Sequence, residues 1–262
     1  MLAPYTPPQF RDWLGSWRSW SVTRAWGVVD FEYNVAQVVY LFSNPRKLTN
    51  FSEFRRHVKG RMSRDDPSFA LVLAFFIGMT DLAYTFALGL SWYQTALSVL
   101  WSTGVVFGFG SVVIASVCFY IVNHVGVVRY SAGGSGFGWD QAADDHTVTQ
   151  AEWIYCFDVH CNAIFPGFVI DCVGGYFMLP LLWSAKPPRI ALILGNLMSG
   201  LGWMYYGYIM VLGMSALPFV KRPEVFLVAS VFWCLVLVLA SVAGVNCMAY
   251  EIRGWTGVFM LT

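Results

Sequence analysis

Residues 152–166 read Glu-Trp-Ile-Tyr-Cys-Phe-Asp-Val-His-Cys-Asn-Ala-Ile-Phe-Pro and gather carboxylate, imidazole, amide and indole at the start of an apolar run. Asp158 and His160 are residue types that ligate metals or carry protons. In a helix, however, positions two apart point about 200° apart around the axis, so this pair cannot share one ion. The helical neighbours are instead Asp158 with Asn162, and Trp153 with Phe157 and His160. One edge is polar and the other interfacial. Three readings stand: an interfacial anchor with internal hydrogen bonds, a partner-binding surface, and a metal or catalytic site, the last weakened by the helical geometry.

Two further acids interrupt apolar runs. Asp81 and Asp171 are functional candidates by default, since an ionisable group among Leu, Ile, Val and Phe is costly to keep. Either could serve a proton or cation path; the plainer alternative has each protonated or hydrogen-bonded to Thr80, Thr85, Tyr84 or Tyr176. Asn196, with Tyr205, Tyr206 and Tyr208 further along its run, reads as a source of interhelical hydrogen bonds and interfacial rings. The six cysteines form no C-x-x-C pair, so neither a disulfide framework nor a zinc cage is indicated. Ser131-Ala-Gly-Gly-Ser-Gly-Phe-Gly138 lacks the strand, helix and lysine of a phosphate cradle, and with Asp140, Asp144 and Asp145 behind it reads as a flexible loop. No Ser-His-Asp set, carboxylate pair or activated cysteine can be assembled from spacing. The sequence therefore indicates no catalytic residues, no metal and no cofactor.

These residues sit in a chain made for a bilayer. At 57% hydrophobic and 12% charged it falls far from soluble domains, of which about a quarter is charged, and an all-α integral membrane protein is the indicated class. Five runs can span about 30 Å of hydrocarbon: about 69–90, 97–121, 163–183, 190–213 and 225–247. Asp81 costs roughly 3 kcal/mol at mid-helix, but eleven Leu, Ile, Val and Phe residues at about −0.5 kcal/mol each outweigh it. Gly104 with Gly108, Gly195 with Ser199, and Ala240 with Gly244 match the small-x-x-x-small pattern of close helix contact. The chain thus divides into an N-terminal region 1–66, a five-span domain 67–247 with a loop at 122–162, and a short tail 248–262.

Ahead of the spans, residues 11–26 interleave Trp13, Trp17 and Trp20 with Arg11, Arg18 and Arg24, a pattern suited to the headgroup layer. Residues 30–42 read as a short amphipathic surface helix, with Phe31, Val35, Val38 and Phe42 on one stripe and Asn34 and Gln37 opposite. No apolar h-region with a cleavage site opens the chain, so a removable signal peptide is not expected. With the N-terminus cytosolic, thirteen of the sixteen Lys and Arg residues fall on the cytosolic side, which satisfies the positive-inside rule. The sequon Asn50-Phe-Ser52 then goes unused. Whatever the orientation, 64–67, 152–162 and 214–222 share one face. Arg64, Asp65, Asp66 and Pro67, then Glu152, Trp153, Asp158, His160 and Asn162, then Ser215, Pro218 and Phe219 are thereby candidates for one partner-binding surface. The basic stretch 54–64 attracts anionic lipid at about 1 kcal/mol per residue. Nucleic acid answers to the same charge, but no recognition fold accompanies it.

Taken in order, Asp30-Phe-Glu32, Tyr40-Leu-Phe42 with Pro45, Arg64-Asp-Asp-Pro67 with Phe69, Glu152-Trp153, Phe157-Asp-Val-His160 with Asn162-Ala163 and Pro166, Gly195-Asn196, and Ser215-Ala-Leu-Pro-Phe219 closely resemble the uncoordinated-fifty family of Golgi membrane proteins. The match runs over about 30–220. The resemblance implies a five-span protein of the Golgi and early secretory pathway, with the endoplasmic reticulum or nuclear membrane as alternatives. It implies an architecture similar to the Yip family, large Arf guanine-nucleotide exchange factors as partners, and membrane receptors delivered to the surface as cargo. An RNA-binding role attached to the family could rest here only on residues 54–64. Asp81, Asp171, the tryptophan-rich N-terminus and the glycine-rich loop 131–150 lie outside the family pattern. They keep open a second function, a small transporter or lipid-handling protein using Asp81 or Asp171.

Overall fold

The computed structural model describes residues 31–59, 62–63, 68–125, 150–182 and 188–257; for 31–33, 53–59 and 182 it describes the backbone alone. The segments 11–26, 64–67 and 131–149 singled out above lie outside the described residues. Among the described residues every regular element is helical. Helices α1 (Phe31–Ser43) and α2 (Arg46–Lys59) precede the long helices α3 (Ser68–Ala87), α4 (Trp92–His124) and α5 (Trp153–Phe177). The one-turn α6 (Leu179–Leu182) leads to α7 (Arg189–Ser215). A 3-10 turn (Pro223–Leu227) runs straight into α8 (Val228–Ala243), and α9 (Cys247–Thr256) follows.

By length and composition, α3, α4, α5 and the unit Pro223–Ala243 can each cross a membrane. Helix α7 has 27 residues, about 40 Å at 1.5 Å per residue, but Asn196, its glycines and its tyrosines dilute its hydropathy below that of the other four. It is nonetheless the hub, packed against α5, α8 and α9. The distribution of polarity is that of a lipid-immersed bundle. Phe75, Phe232, Leu239 and Val242 are 64%, 64%, 69% and 86% exposed, whereas Asp81, Ser102 and Ser199 are fully buried.

Local chemistry sets the breaks. Gly89, at φ 71°, reverses the chain after α3, and Ser91 with Gln94 closes a capping box that starts α4. Pro166 lies buried inside α5, which is already helical at Trp153, ten residues ahead of the span read from hydropathy at about 163. Proline removes one i to i−4 hydrogen bond, and the helix widens into π-helical turns at Val169–Val173, just beyond it. A longer π-helical stretch, Trp101–Phe109, lies within α4. The Gly104/Gly108 match is therefore not a helix contact: a Cβ at Gly104 meets open space, and one at Gly108 meets only Thr103 of its own helix. Gly244 adopts φ 78° and ends α8. The close approaches fall elsewhere, at Gly167 against the Gly202 carbonyl and at Gly213 against Val159.

Two elements position the sites. Helix α1 is amphipathic, and its polar edge is the buried one: Asn34 and Gln37 face the bundle while Val35, Val39 and Phe42 face out. After α8 the chain turns back. Asn246 caps α9 by accepting from the Ala249 amide, and α9 runs inward alongside α7, α3 and the π-helical stretch of α4. Its last carbonyls are met by side chains, Ser98 Oγ donating to Thr256 O at 2.5 Å and Trp101 Nε1 to Gly254 O at 3.0 Å. Such pairing is what a helix end inside an apolar bundle requires. The expected tail thus contributes a helix to the core.

Candidate functional site

At the end where α5 begins and α7 stops, residues distant in sequence meet. Ser63 Oγ donates to Glu152 Oε2, and Gln37 Nε2 to Asn162 Oδ1. Asn123 clamps Ala151, accepting from its amide at 2.8 Å and donating to its carbonyl at 3.2 Å. Tyr155 OH donates to Gly213 O at 2.6 Å, and Tyr205 OH to Leu41 O at 2.7 Å, fixing α1 on α7. Asp158 and Asn162 are half-buried and line a cleft of about 30 Å³ with Pro45, Ser52 and Gly213. Ser215 and Pro218 are exposed nearby, and Phe219 is half-buried against the core. Arg64, Asp65, Asp66 and Pro67 lie outside the described residues, immediately after Ser63.

The first turns of α5 do not lie flat on a surface. They pack against α4 and α7, which splits the interfacial edge read from the sequence. Trp153 stacks on Phe157 at 5.5 Å and 17° and donates to Ser116 Oγ at 3.0 Å. His160 turns inward, 1% exposed, with Nδ1 2.9 Å from Tyr206 OH. Glu152 is also buried, at 6%. Asp158 and His160 therefore open onto different spaces, and among the described residues no three His, Cys, Asp or Glu side chains converge as metal ligands. All six cysteines are free.

His160 reaches a cavity of about 380 Å³ bordered by α4, α5, α7 and α9. Four polar atoms around it have no hydrogen-bond partner among the described residues: His160 Nε2, Ser111 Oγ, Asp171 Oδ1 and Trp255 Nε1. Asp171, from the π-helical turns of α5, lies against the bare Cα of Gly202 on α7; a Cβ there would stand 2.4 Å from Asp171 Oδ2, so any larger residue would push the carboxyl aside. Glu251 of α9 shares the cavity and is held in place, Ser199 Oγ donating to Oε2 at 2.7 Å and Trp233 Nε1 to Oε1 at 3.0 Å. Asp81 sits apart, fully buried, facing Ser98 and Ser102. Those hydroxyls also donate to Thr256 O at 2.5 Å and to Val99 O at 3.2 Å. Two of the local hydroxyls proposed as partners for the acids also point elsewhere, Tyr84 OH to Cys172 O and Thr85 Oγ1 to Leu82 O. Asn196 Nδ2 donates to Ser241 Oγ and Val245 O, each at 2.9 Å.

Sequence reasoning missed Glu251, Ser111 and Trp255. The available signal was Asn246 as an N-cap, followed by Cys247, Glu251 and Trp255 at i, i+4 and i+8 just past the last apolar run.

Long apolar helices, an apolar exterior and polar side chains held inside the bundle define a multi-pass helical membrane protein. The chain belongs to the UNC-50 family, whose sequence model matches residues 22–254. It is 32% identical over 201 residues to Protein unc-50 homolog of Dictyostelium discoideum, covering 76% of this chain and 71% of that one. It is 31% identical over 235 residues to Protein unc-50 homolog A of Xenopus laevis, covering 86% and 83%. Against Protein unc-50 of Caenorhabditis elegans the identity is 32% over 219 residues, covering 83% and 66%. No solved structure matches the chain.

Proposed function

We propose that this protein is a non-enzymatic adaptor of Golgi and early secretory membranes. It crosses the bilayer five times with a cytosolic N-terminus and a Yip-like arrangement of helices. It recruits or positions a large Arf guanine-nucleotide exchange factor and aids surface delivery of membrane cargo. The observation that carries the reading is the meeting of Glu152, Asp158, Asn162 and residues 213–219 at one end of the bundle, in a chain of this family. Asp158 is the residue to change, because Asn162 also anchors α1 through Gln37. Asp158→Ala, still reaching the Golgi, should recover several-fold less exchange factor in a pull-down. Undiminished recovery sinks the assignment.

The cavity favours a second reading, a small transporter or lipid-handling protein using Asp171, since that acid faces Glu251 within the bundle. Asp171→Asn should then abolish flux or lipid scrambling in reconstituted vesicles. Vesicles with no activity to lose remove this reading.

A further inference from the structure

We propose that the cavity between α4, α5, α7 and α9 binds a single-chain amphiphile with a protonated amine headgroup, the amine held between Asp171 and Glu251. The sign of the site comes first. Two carboxyl groups line the cavity and, among the described residues, no Lys or Arg does, so a phosphate or carboxylate headgroup meets repulsion and a cation meets its complement. Aromatic rings reinforce that choice. Trp203, Tyr206 and Trp255 border the same space, and ring faces attract ammonium groups within about 6 Å.

The orphan atoms describe the rest of the headgroup. His160 and Ser111 are each 1% exposed, and His160 Nε2 and Ser111 Oγ have no partner among the described residues. A buried polar atom without a partner costs about 1–3 kcal/mol, and hydroxyls next to the amine would satisfy both. Glu251 is preorganised, since Ser199 and Trp233 hold it before any ligand arrives.

The remaining wall is apolar. Val106, Phe107, Ile114 and Ile164 offer a chain somewhere to lie, and about 380 Å³ falls in the usual range of roughly 300–1,000 Å³ for ligand sites. Ile114 and Trp203, which border the cavity and lie well inside the ends of α4 and α7, are 40% and 37% exposed. The opening is therefore sideways, toward lipid, which points to an occupant from the bilayer and not from water. The inference goes beyond the adaptor reading and requires no transport; it rests only on the bundle being membrane-embedded.

Full-length protein in nanodiscs is labelled with a photoactivatable long-chain amine. Competitors are the unlabelled amine, the alcohol and the fatty acid of equal chain length, and a short, water-soluble amine. Labelling should be saturable, map to α5 and α9, and fall about tenfold with the long-chain amine alone. The variant Asp171→Asn/Glu251→Gln should lose about tenfold in labelling, as removal of charge-assisted contacts implies, while remaining monodisperse. Equal competition by the alcohol overturns the cationic headgroup. Equal competition by the short amine overturns the amphiphile, and full labelling of a folded variant overturns the two acids. The competition series on the unaltered protein decides the matter even where the variant fails to fold.

Discussion

Asn196 closes the reversal between α8 and α9 with a single amide. Its Nδ2 donates to Ser241 Oγ and to Val245 O, and its Oδ1 accepts from the Cys247 amide, all at 2.9 Å. Alanine there leaves a carbonyl and an amide unpaired in apolar surroundings, at about 1–2 kcal/mol. Asn196→Ala should lower the thermal midpoint in detergent and speed amide exchange across 247–257. Asn196→Ser, which keeps a neutral hydroxyl able to donate or accept, should fall between alanine and the unaltered protein; three equal midpoints contradict this role. That Asn196 would bond between helices is readable from sequence, because a lone amide in an apolar run has few other partners. Which helix receives it is not, since Ser241 and Val245 lie 45 and 49 positions away. The same distance hides Glu152, whose partner Ser63 lies 89 positions earlier. By contrast, the separation of Asp158 from His160 follows from helical geometry alone.

At the scale of elements, α5 and α7 approach where Gly213 meets Val159. A Cβ at Gly213 would stand 2.4 Å from Val159 Cγ1, too close for a β-branched side chain with little rotamer freedom. Gly213→Ala should therefore destabilise the protein by about 1–3 kcal/mol, the range of overpacking. The double variant Gly213→Ala/Val159→Ala should regain most of the loss, because the second change removes both methyl groups in conflict. Additive losses in the double variant would place the strain elsewhere. The contact is invisible to motif reading, since its partner is a valine on another helix and not a second small residue. Of the three matches that motif reading finds, Gly104/Gly108 and Ala240/Gly244 serve a π-helical stretch and a helix terminus, while Gly195 and Ser199 are both buried and Ser199 bonds Glu251 of α9. Hydropathy locates the long helices to within a few residues, except for α5, where polar residues 152–162 hide ten residues of continuous helix. It misses α9 altogether, because Glu251 and Arg253 break the apolar pattern and only the contacts with Ser199, Trp203 and Trp233 explain why the helix turns inward.

For the whole molecule the open quantity is the number of crossings, and it turns on α7. Hydropathy counts Asn196 and Ser199 as if each met lipid, yet both are buried and hydrogen-bonded to neighbouring helices. A helix of 27 residues with its polar groups already paired has little reason to avoid the hydrocarbon. If α7 crosses, Lys221 and Arg222 return to the side of the basic N-terminal region, as the positive-inside rule asks, and Lys186 lies opposite. If it does not cross, Lys186 and Lys221 share a side. Sealed vesicles with the cytosolic face outward separate the two topologies. A membrane-impermeant maleimide should label Lys221→Cys directly, and Lys186→Cys only after detergent, over a baseline set by six native cysteines that are all buried or half-buried. Asn50 should carry no glycan in the same preparation. Labelling of both cysteines only after detergent returns the chain to four crossings, and a glycan on Asn50 reverses its orientation.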